Sequence, residues 1–185
     1  SSVAIAGLGG LGSNIAMYLA RAGVGHLHLV DFDKVDITNL NRQQYDIADL
    51  GTLKTDALTK NIKRFNPFIE ITSQCVKVNE DNAAEIFGGY KIVCEAFDKA
   101  ENKAMLVNSI LSECGDTKIV SGSGMAGFGS SNTIVTRKIN DRFYLCGDAE
   151  SDMNDGLALA APRVAICAAH EANMILRLLI GEKEV

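Results

Sequence analysis

What this 185-residue chain lacks removes whole classes of protein. No apolar run is long and charge-free enough to span a bilayer, so no membrane segment is expected. The chain opens straight into a strand, with no charged n-region and no cleavage site, and a cytoplasmic location is the expectation. Its five cysteines, Cys75, Cys94, Cys114, Cys146 and Cys167, contain no C-x-x-C pair. That argues against a disulfide framework and against a four-cysteine zinc site, and leaves reduced thiols as the default. There is no basic surplus either: the net charge is −5 and the pI near 5.2. A general nucleic-acid binder needs a basic surface to neutralise phosphate, so nucleic acid is not expected as a partner. Internal repeats, linkers and low-complexity tracts are absent as well. With 47% apolar and 22% charged residues, the composition is that of one globular domain over residues 1–185, without room for a separate catalytic domain.

What is present alternates apolar runs with helical patterns, the signature of an α/β fold with a mostly parallel sheet and crossover helices. A strand over Val3 to Ala6 leads through a glycine loop to a helix over Ser13 to Ala22, and a second strand ends at Asp31. The pattern then predicts a helix from Leu53 to Arg64, closed by Asn66-Pro67 because proline disfavours helical geometry in the residue before it. Ile69 to Val78 reads as a third strand and Asp81 to Phe87 as a helix. Ile92 to Cys94 reads as a short buried strand, Ala100 to Cys114 as a helix, and Lys118 to Ser121 as the fifth strand. Thr133 to Arg137 and Arg142 to Leu145 flank a turn at Asn140-Asp141, an antiparallel hairpin appended to the sheet. A last helix is expected from Arg163 to Ile180, stopping at Gly181.

The chemistry begins at Gly7-Leu8-Gly9-Gly10-Leu11-Gly12, where a glycine loop between strand and helix brings backbone close to phosphate. Asp31, about twenty residues on, is placed to accept ribose hydroxyls. These two features fit an NAD- or FAD-dependent oxidoreductase as well as an ATP enzyme. Arg42 and Lys54 shift the balance, because three phosphates need side-chain cations: Arg42 binds bidentately and Lys54 serves as a point charge. Asp98, just beyond a strand end, is the candidate Mg²⁺ ligand, with Asp33 a weaker second. The plain alternatives are solvated cations at Arg42 and Lys54 and a helix cap at Asp98.

Taken with Asp31-Phe32-Asp33-Lys34-Val35, Asn39-Leu40-Asn41-Arg42-Gln43, Gly51-Thr52-Leu53-Lys54 and Phe97-Asp98, the loop resembles the ThiF/MoeB/HesA family, bacterial relatives of ubiquitin-activating enzymes. The likeness covers essentially the whole chain. Ala161-Pro162-Arg163-Val164 and His170-Glu171-Ala172-Asn173 resemble the short, zinc-free ThiF-type branch linked to thiamine biosynthesis. The resemblance implies ATP-dependent adenylation of the C-terminal carboxylate of a ubiquitin-like sulfur-carrier protein ending in Gly-Gly. It implies that Gly9, Gly10 and Gly12 line the nucleotide, that Asp31 holds the ribose, and that Asn39, Arg42 and Gln43 face the phosphates. Lys54 would contact phosphate and Asp98 would bind Mg²⁺. A homodimer is also implied, while zinc is not expected because the paired C-x-x-C motifs of many relatives are missing here. A non-catalytic nucleotide-binding partner subunit is a third reading of the same residues.

Phe97-Asp98-Lys99 stands where the family often has Thr-Asp-Asn, which keeps the carboxylate and changes its neighbours. Some relatives form a covalent intermediate with the carrier, and Cys146, at the end of a hairpin strand, is the cysteine expected to be exposed. Cys94 and Cys167 sit in apolar runs and read as core. His26 and His28 share one face of the second strand and, with His170, read as structural. Asp148, Ser151, Asp152 and Asp155 form an acidic segment expected to be a mobile loop over the site or carrier channel.

Overall fold

The computed structural model describes residues 1–151 and 156–185. Seven strands form one sheet: β1 (Ser2–Ala6), β2 (His26–Val30), β3 (Glu70–Gln74), β4 (Ile92–Glu95), β5 (Lys118–Gly122), β6 (Val135–Lys138) and β7 (Phe143–Gly147). Among the described residues five α-helices accompany them: α1 (Gly10–Arg21), α2 (Lys54–Lys63), α3 (Glu80–Phe87), α4 (Ala100–Glu113) and α5 (Ala161–Leu179). The strand order is β3-β2-β1-β4-β5-β7-β6, and every pairing is parallel except β6 with β7.

Period-two alternation assigns the faces. Val3, Ile5, Leu27 and Leu29 join Ile15, Leu19, Leu58 and Ile175 of α1, α2 and α5 on one side. Ala4, Ala6, Val30 and Val93 join Phe87, Leu106 and Ile110 of α3 and α4 on the other. His28 lies on the same face as Ala4, Ala6 and Val30, with its ring stacked on Tyr90 at 5.1 Å.

From β1 the sheet grows one way through β2 and β3 and the other way through β4 and β5. The two directions of winding part between β1 and β4, the switch point at which sheets of this kind bind ligands beyond the carboxyl ends of their strands. The glycine loop follows β1 there and Phe97-Asp98 follows β4, because Ala6 and Glu95 stand side by side in register.

Element boundaries depart from the sequence pattern in places that have physical reasons. β3 stops at Gln74 instead of reaching Val78, since Gln74 pairs with Val30 and β2 ends there. α1 starts at Gly10, three residues earlier than expected, because the glycine loop closes directly on the helix with Gly9 at its cap. α5 starts at Ala161, with Pro162 in the first turn, where its fixed φ suits a helix and its missing N–H costs nothing. The hairpin is present, but β7 is its inner strand, inserted between β5 and β6.

Candidate functional site

Two glycines in the loop are dictated by geometry. Gly7 has φ +90°, and a Cβ there would stand 2.8 Å from the Ala96 carbonyl oxygen of the neighbouring turn. A Cβ on Gly12 would collide with the Gly7 carbonyl, so only glycine lets α1 pack this closely on the loop. Leu8 between them is clamped at both ends. Its N–H donates to Asp31 Oδ2 at 2.7 Å, and the Tyr45 hydroxyl donates to its carbonyl at 2.8 Å. Asp31 Oδ1 accepts the Asp33 N–H at 2.7 Å. Burial pushes the Asp31 carboxyl above its ordinary value against the pull of Lys54 and these two N–H groups. Each carboxylate oxygen keeps a further lone pair, so a hydroxyl can still be accepted.

The polar run is stapled to the loop by α1. Asn14 donates to the Gly10 carbonyl at 2.7 Å and to the Arg42 carbonyl at 3.1 Å, and accepts from Gln44 Nε2 at 2.7 Å. Ser13 Oγ donates to the Gly9 carbonyl at 2.6 Å and accepts the Gln44 N–H at 3.1 Å. Asn39 is used locally: its Oδ1 accepts the Asp36 N–H at 3.0 Å in a reciprocal cap. Arg42 donates from Nη1 to the Thr38 carbonyl at 3.0 Å and to Asn41 Oδ1 at 2.7 Å, with its stem lying over Gly10. Its buried Nε has no partner among the described residues, and neither has the buried Oε1 of Gln43, whose amide lies over Gly9. A donor and an acceptor left open side by side cost about 1–3 kcal/mol each unless something polar meets them. They flank the start of α1, which no side chain caps. The Arg42 donor and the uncapped α1 N–H groups fit phosphate oxygens, whereas the Gln43 Oε1 acceptor calls for a donor such as a hydroxyl or amino group.

Residues 33–35 and 51–54 pair locally, through the Val35 N–H to the Thr52 carbonyl at 2.9 Å and the Lys54 N–H to the Asp33 carbonyl at 3.0 Å. This brings Lys54 back to the end of β2, where its buried ammonium stands 3.1 Å from the half-exposed carboxylate of Asp33. Asp33 is therefore the lysine's counterion. Asp98 is exposed and, among the described residues, makes no hydrogen bond or ion pair; α4 begins after Lys99 with no side chain capping it. Among the described residues no three His, Cys, Asp or Glu side chains are grouped to hold a metal, so a cation at Asp98 would need oxygens from the nucleotide.

One expectation is corrected. Cys146 is not an exposed thiol: it is wholly buried, with Thr136 Oγ1 at 3.6 Å. Burial, reinforced by Glu171, pushes its thiol far above the ordinary range, which removes the thiolate a nucleophile needs. Cys75 is the exposed cysteine. Of the acidic segment, Asp148 accepts the Glu150 and Ser151 N–H groups, each at 2.9 Å, and pairs with buried Arg163 at 2.6 Å. Asp152 and Asp155 lie outside the described residues.

Tyr45, Asn14 and Gln44 were missed by sequence reasoning. Their roles depend on α1 meeting the polar run across some thirty residues of chain, and no local pattern announces that meeting.

A parallel sheet wound both ways from β1, with a glycine loop at its switch point and cations beside it, defines a nucleotide-binding α/β fold. The chain belongs to the ThiF family, whose profile matches residues 1–185. It is 39% identical over 126 residues to the adenylyltransferase and sulfurtransferase UBA4 of Scheffersomyces stipitis, a match covering 68% of this chain and 28% of that protein. The adenylyltransferase and sulfurtransferase MOCS3 of Caenorhabditis briggsae is 38% identical over 111 residues, 60% of this chain and 27% of that one. The chain thus spans little more than a quarter of the length of these relatives. Among solved structures, E. coli tRNA N6-threonylcarbamoyladenosine dehydratase TcdA in complex with ATP superposes with a TM-score of 0.87 at 23% identity, covering 97% of this chain and 86% of that one. E. coli MccB with ATP gives 0.75 at 21% identity, covering 99% and 57%. At these identities the two structures establish the fold.

Proposed function

We propose that this chain is an adenylation domain that uses ATP and Mg²⁺ to activate the C-terminal carboxylate of a ubiquitin-like sulfur-carrier protein ending in Gly-Gly. The observation that carries the reading is the uncapped start of α1 with the unpartnered Arg42 Nε donor of a side chain lying over Gly10, together with the buried ammonium of Lys54 at the end of β2. A dinucleotide needs fewer fixed cations than a triphosphate. The name adenylyltransferase, carried by the relatives UBA4 and MOCS3, supports the same chemistry.

In the reaction a carboxylate oxygen attacks the α-phosphorus, a P–O–C(acyl) linkage forms, the bond from the α-phosphorus to the bridging oxygen breaks, and pyrophosphate leaves with the electron pair. The nucleophile is already ionised at neutral pH, so no general base is required. Anion must approach anion, and here the protein acts. Arg42 and Lys54 offset the repulsion and the charge that develops, the α1 N–H groups meet phosphate oxygens, and Asp31 orients the ribose. Gly9 and Gly10 keep side chains out of the phosphates' path and Gly12 lets α1 close on the loop, while Asn39 caps the turn before Arg42 and Asp33 is the counterion of Lys54. A Mg²⁺ held between Asp98 and the phosphates would supply further charge neutralisation for the leaving pyrophosphate. The carboxylate of Asp98, exposed and without a protein partner among the described residues, fits that role.

The stretches at Ala161–Val164 and His170–Asn173 favour a carrier of the thiamine pathway, and the family resemblance supports a cytoplasmic homodimer. The test is ATP–pyrophosphate exchange with Mg²⁺, with and without a purified Gly-Gly-ended carrier. Carrier-dependent exchange that disappears in Arg42→Ala and in Asp98→Ala is expected. Absence of exchange in the unaltered protein, together with binding of NAD in place of ATP, would overturn the reading and restore the oxidoreductase.

A further inference from the structure

Glu95, the last residue of β4, is wholly buried, a state a carboxylate tolerates only when it is fully partnered. Its partners converge from separate elements. Oε1 accepts the Phe97 N–H at 2.7 Å, Lys103 of α4 reaches Oε2 at 3.0 Å and Oε1 at 3.3 Å, and Ser121 of β5 donates to Oε2 at 2.5 Å. One carboxylate therefore ties the end of β4 to the following turn, to the opening turn of α4 and to β5.

Phe97 is the residue immediately before Asp98. Asp98 has no hydrogen bond or ion pair of its own among the described residues, so its direction is set by the backbone of residues 96–98. That backbone is held on one side by the Ala96 N–H donating to the Ala6 carbonyl at 2.8 Å, and on the other by Glu95 through the Phe97 N–H. The same turn faces Gly7, where a Cβ would meet Ala96 oxygen at 2.8 Å and Phe97 Cδ1 at 3.1 Å. The phosphate loop and the turn bearing Asp98 are thus mutually fitted surfaces, and Glu95 is the side chain that locks the second of them.

We infer that Glu95 is a positioning residue: through the Phe97 N–H it fixes the turn that aims Asp98 at a divalent cation carried on the nucleotide's phosphates. The inference rests on the reading of Asp98 as the cation carboxylate. A group that holds a metal ligand in place commonly shows its effect in metal affinity, and a glutamate shortened by one methylene cannot hold Phe97 and Lys103 together.

The experiment measures binding of Mn²⁺, an oxygen-seeking substitute for Mg²⁺, to the full chain with a non-hydrolysable ATP analogue, by electron paramagnetic resonance. Nucleotide affinity is measured in parallel in EDTA. Glu95→Asp is expected to weaken Mn²⁺ binding about tenfold while leaving nucleotide affinity in EDTA unchanged. Ser121→Ala, which removes a hydrogen bond to the same carboxylate away from the turn, is expected to leave Mn²⁺ binding unchanged. Glu95→Gln, which keeps an acceptor for the Phe97 N–H, is expected to lose less than Glu95→Asp. If Glu95→Asp binds Mn²⁺ normally while Asp98→Ala does not, the positioning role is overturned and the reading of Asp98 stands. If Asp98→Ala itself binds Mn²⁺ normally, the reading of Asp98 fails first. A parallel loss of cation and nucleotide affinity in Glu95→Asp also overturns the proposal, since it marks a general structural role. Amide exchange on the unaltered chain needs no variant: Phe97 protected like β4 supports the lock, and exchange at free-loop rates overturns it.

Discussion

Beneath the crevice, between β4, β5 and α5, ionisable groups close on one another, whereas above the glycine loop they are left open. Glu95, Lys103 and Ser121 satisfy one another; the thiols of Cys94 and Cys167 lie 3.6 and 3.8 Å from Glu171. Burial pushes the Glu171 carboxyl well up, and the Lys103 ammonium is held above its ordinary value because Glu95 and Glu171 outweigh the burial that opposes its charge. Over Gly9 and Gly10, by contrast, Arg42 Nε and Gln43 Oε1 are buried without partners among the described residues, and Asp98, beyond the turn that faces Gly7, makes no bond among them. Both regions carry the cost of taking polar groups out of water. Only the lower one recovers it within the protein, and the difference marks where a ligand is expected to complete the structure.

The comparison breaks most visibly in the closed region. Glu95→Ala strands Lys103 in the interior and is expected to cost about 3–5 kcal/mol of stability, read as a lowered urea midpoint at unchanged slope. A loss under about 1 kcal/mol, the surface-pair range, would show that water reaches this region. In the open region the balance reverses. Arg42→Ala is expected to reduce ATP–pyrophosphate exchange by about 10²–10³-fold with little change in stability, since its own bonds, to the Thr38 carbonyl and Asn41, are exposed and its Nε has no protein partner among the described residues. A stability loss as large as that of Glu95→Ala would mean that Arg42 is closed after all.

Cys146 sharpens the contrast, because it belongs to the closed side. Cys146→Ala is expected to leave exchange at the unaltered rate, and loss of exchange with retained folding would contradict the buried, protonated thiol. The smallest effect is one of pH. His28 has its pKa lowered, first by burial and then by the neighbouring His26, so the folded state prefers the neutral ring. Its contribution is fully present above the unfolded value of about 6.5 and is lost as pH falls through that value toward the lower folded one. Urea midpoints at pH 8 and pH 5.5 should differ less in His28→Gln than in the unaltered protein; an identical difference would remove His28 as the cause.

The signals legible in the sequence were the local ones. A glycine loop between a strand and a helix, an acidic residue one strand later, and a polar run containing Arg42 each announce themselves within a few residues. In the structure Asp31 holds the Leu8 N–H of the loop, Arg42 and Gln43 lie over Gly10 and Gly9, and Lys54 returns to Asp33 at the end of β2. Asn14 and Tyr45 escaped notice because an asparagine in a helix and a tyrosine in a loop carry no pattern; they matter only through partners some thirty residues away. Glu95 was hidden within an apolar run that reads as an ordinary buried strand. Cys146 was misplaced for a topological reason: the later strand of a terminal hairpin looks like an edge, yet β7 lies between β5 and β6 and its side chains are covered.

Alternation of apolar residues, the glycines and the breaks between elements were enough to determine the α/β architecture, because period and turn chemistry act over short stretches of chain. Which groups would be closed and which left open could not be read that way. That depends on strand order and on the register that stands Glu95 beside Ser121 and Ala6 beside Glu95, and a hydrogen bond exists only once both partners have been carried to within about 3 Å of each other.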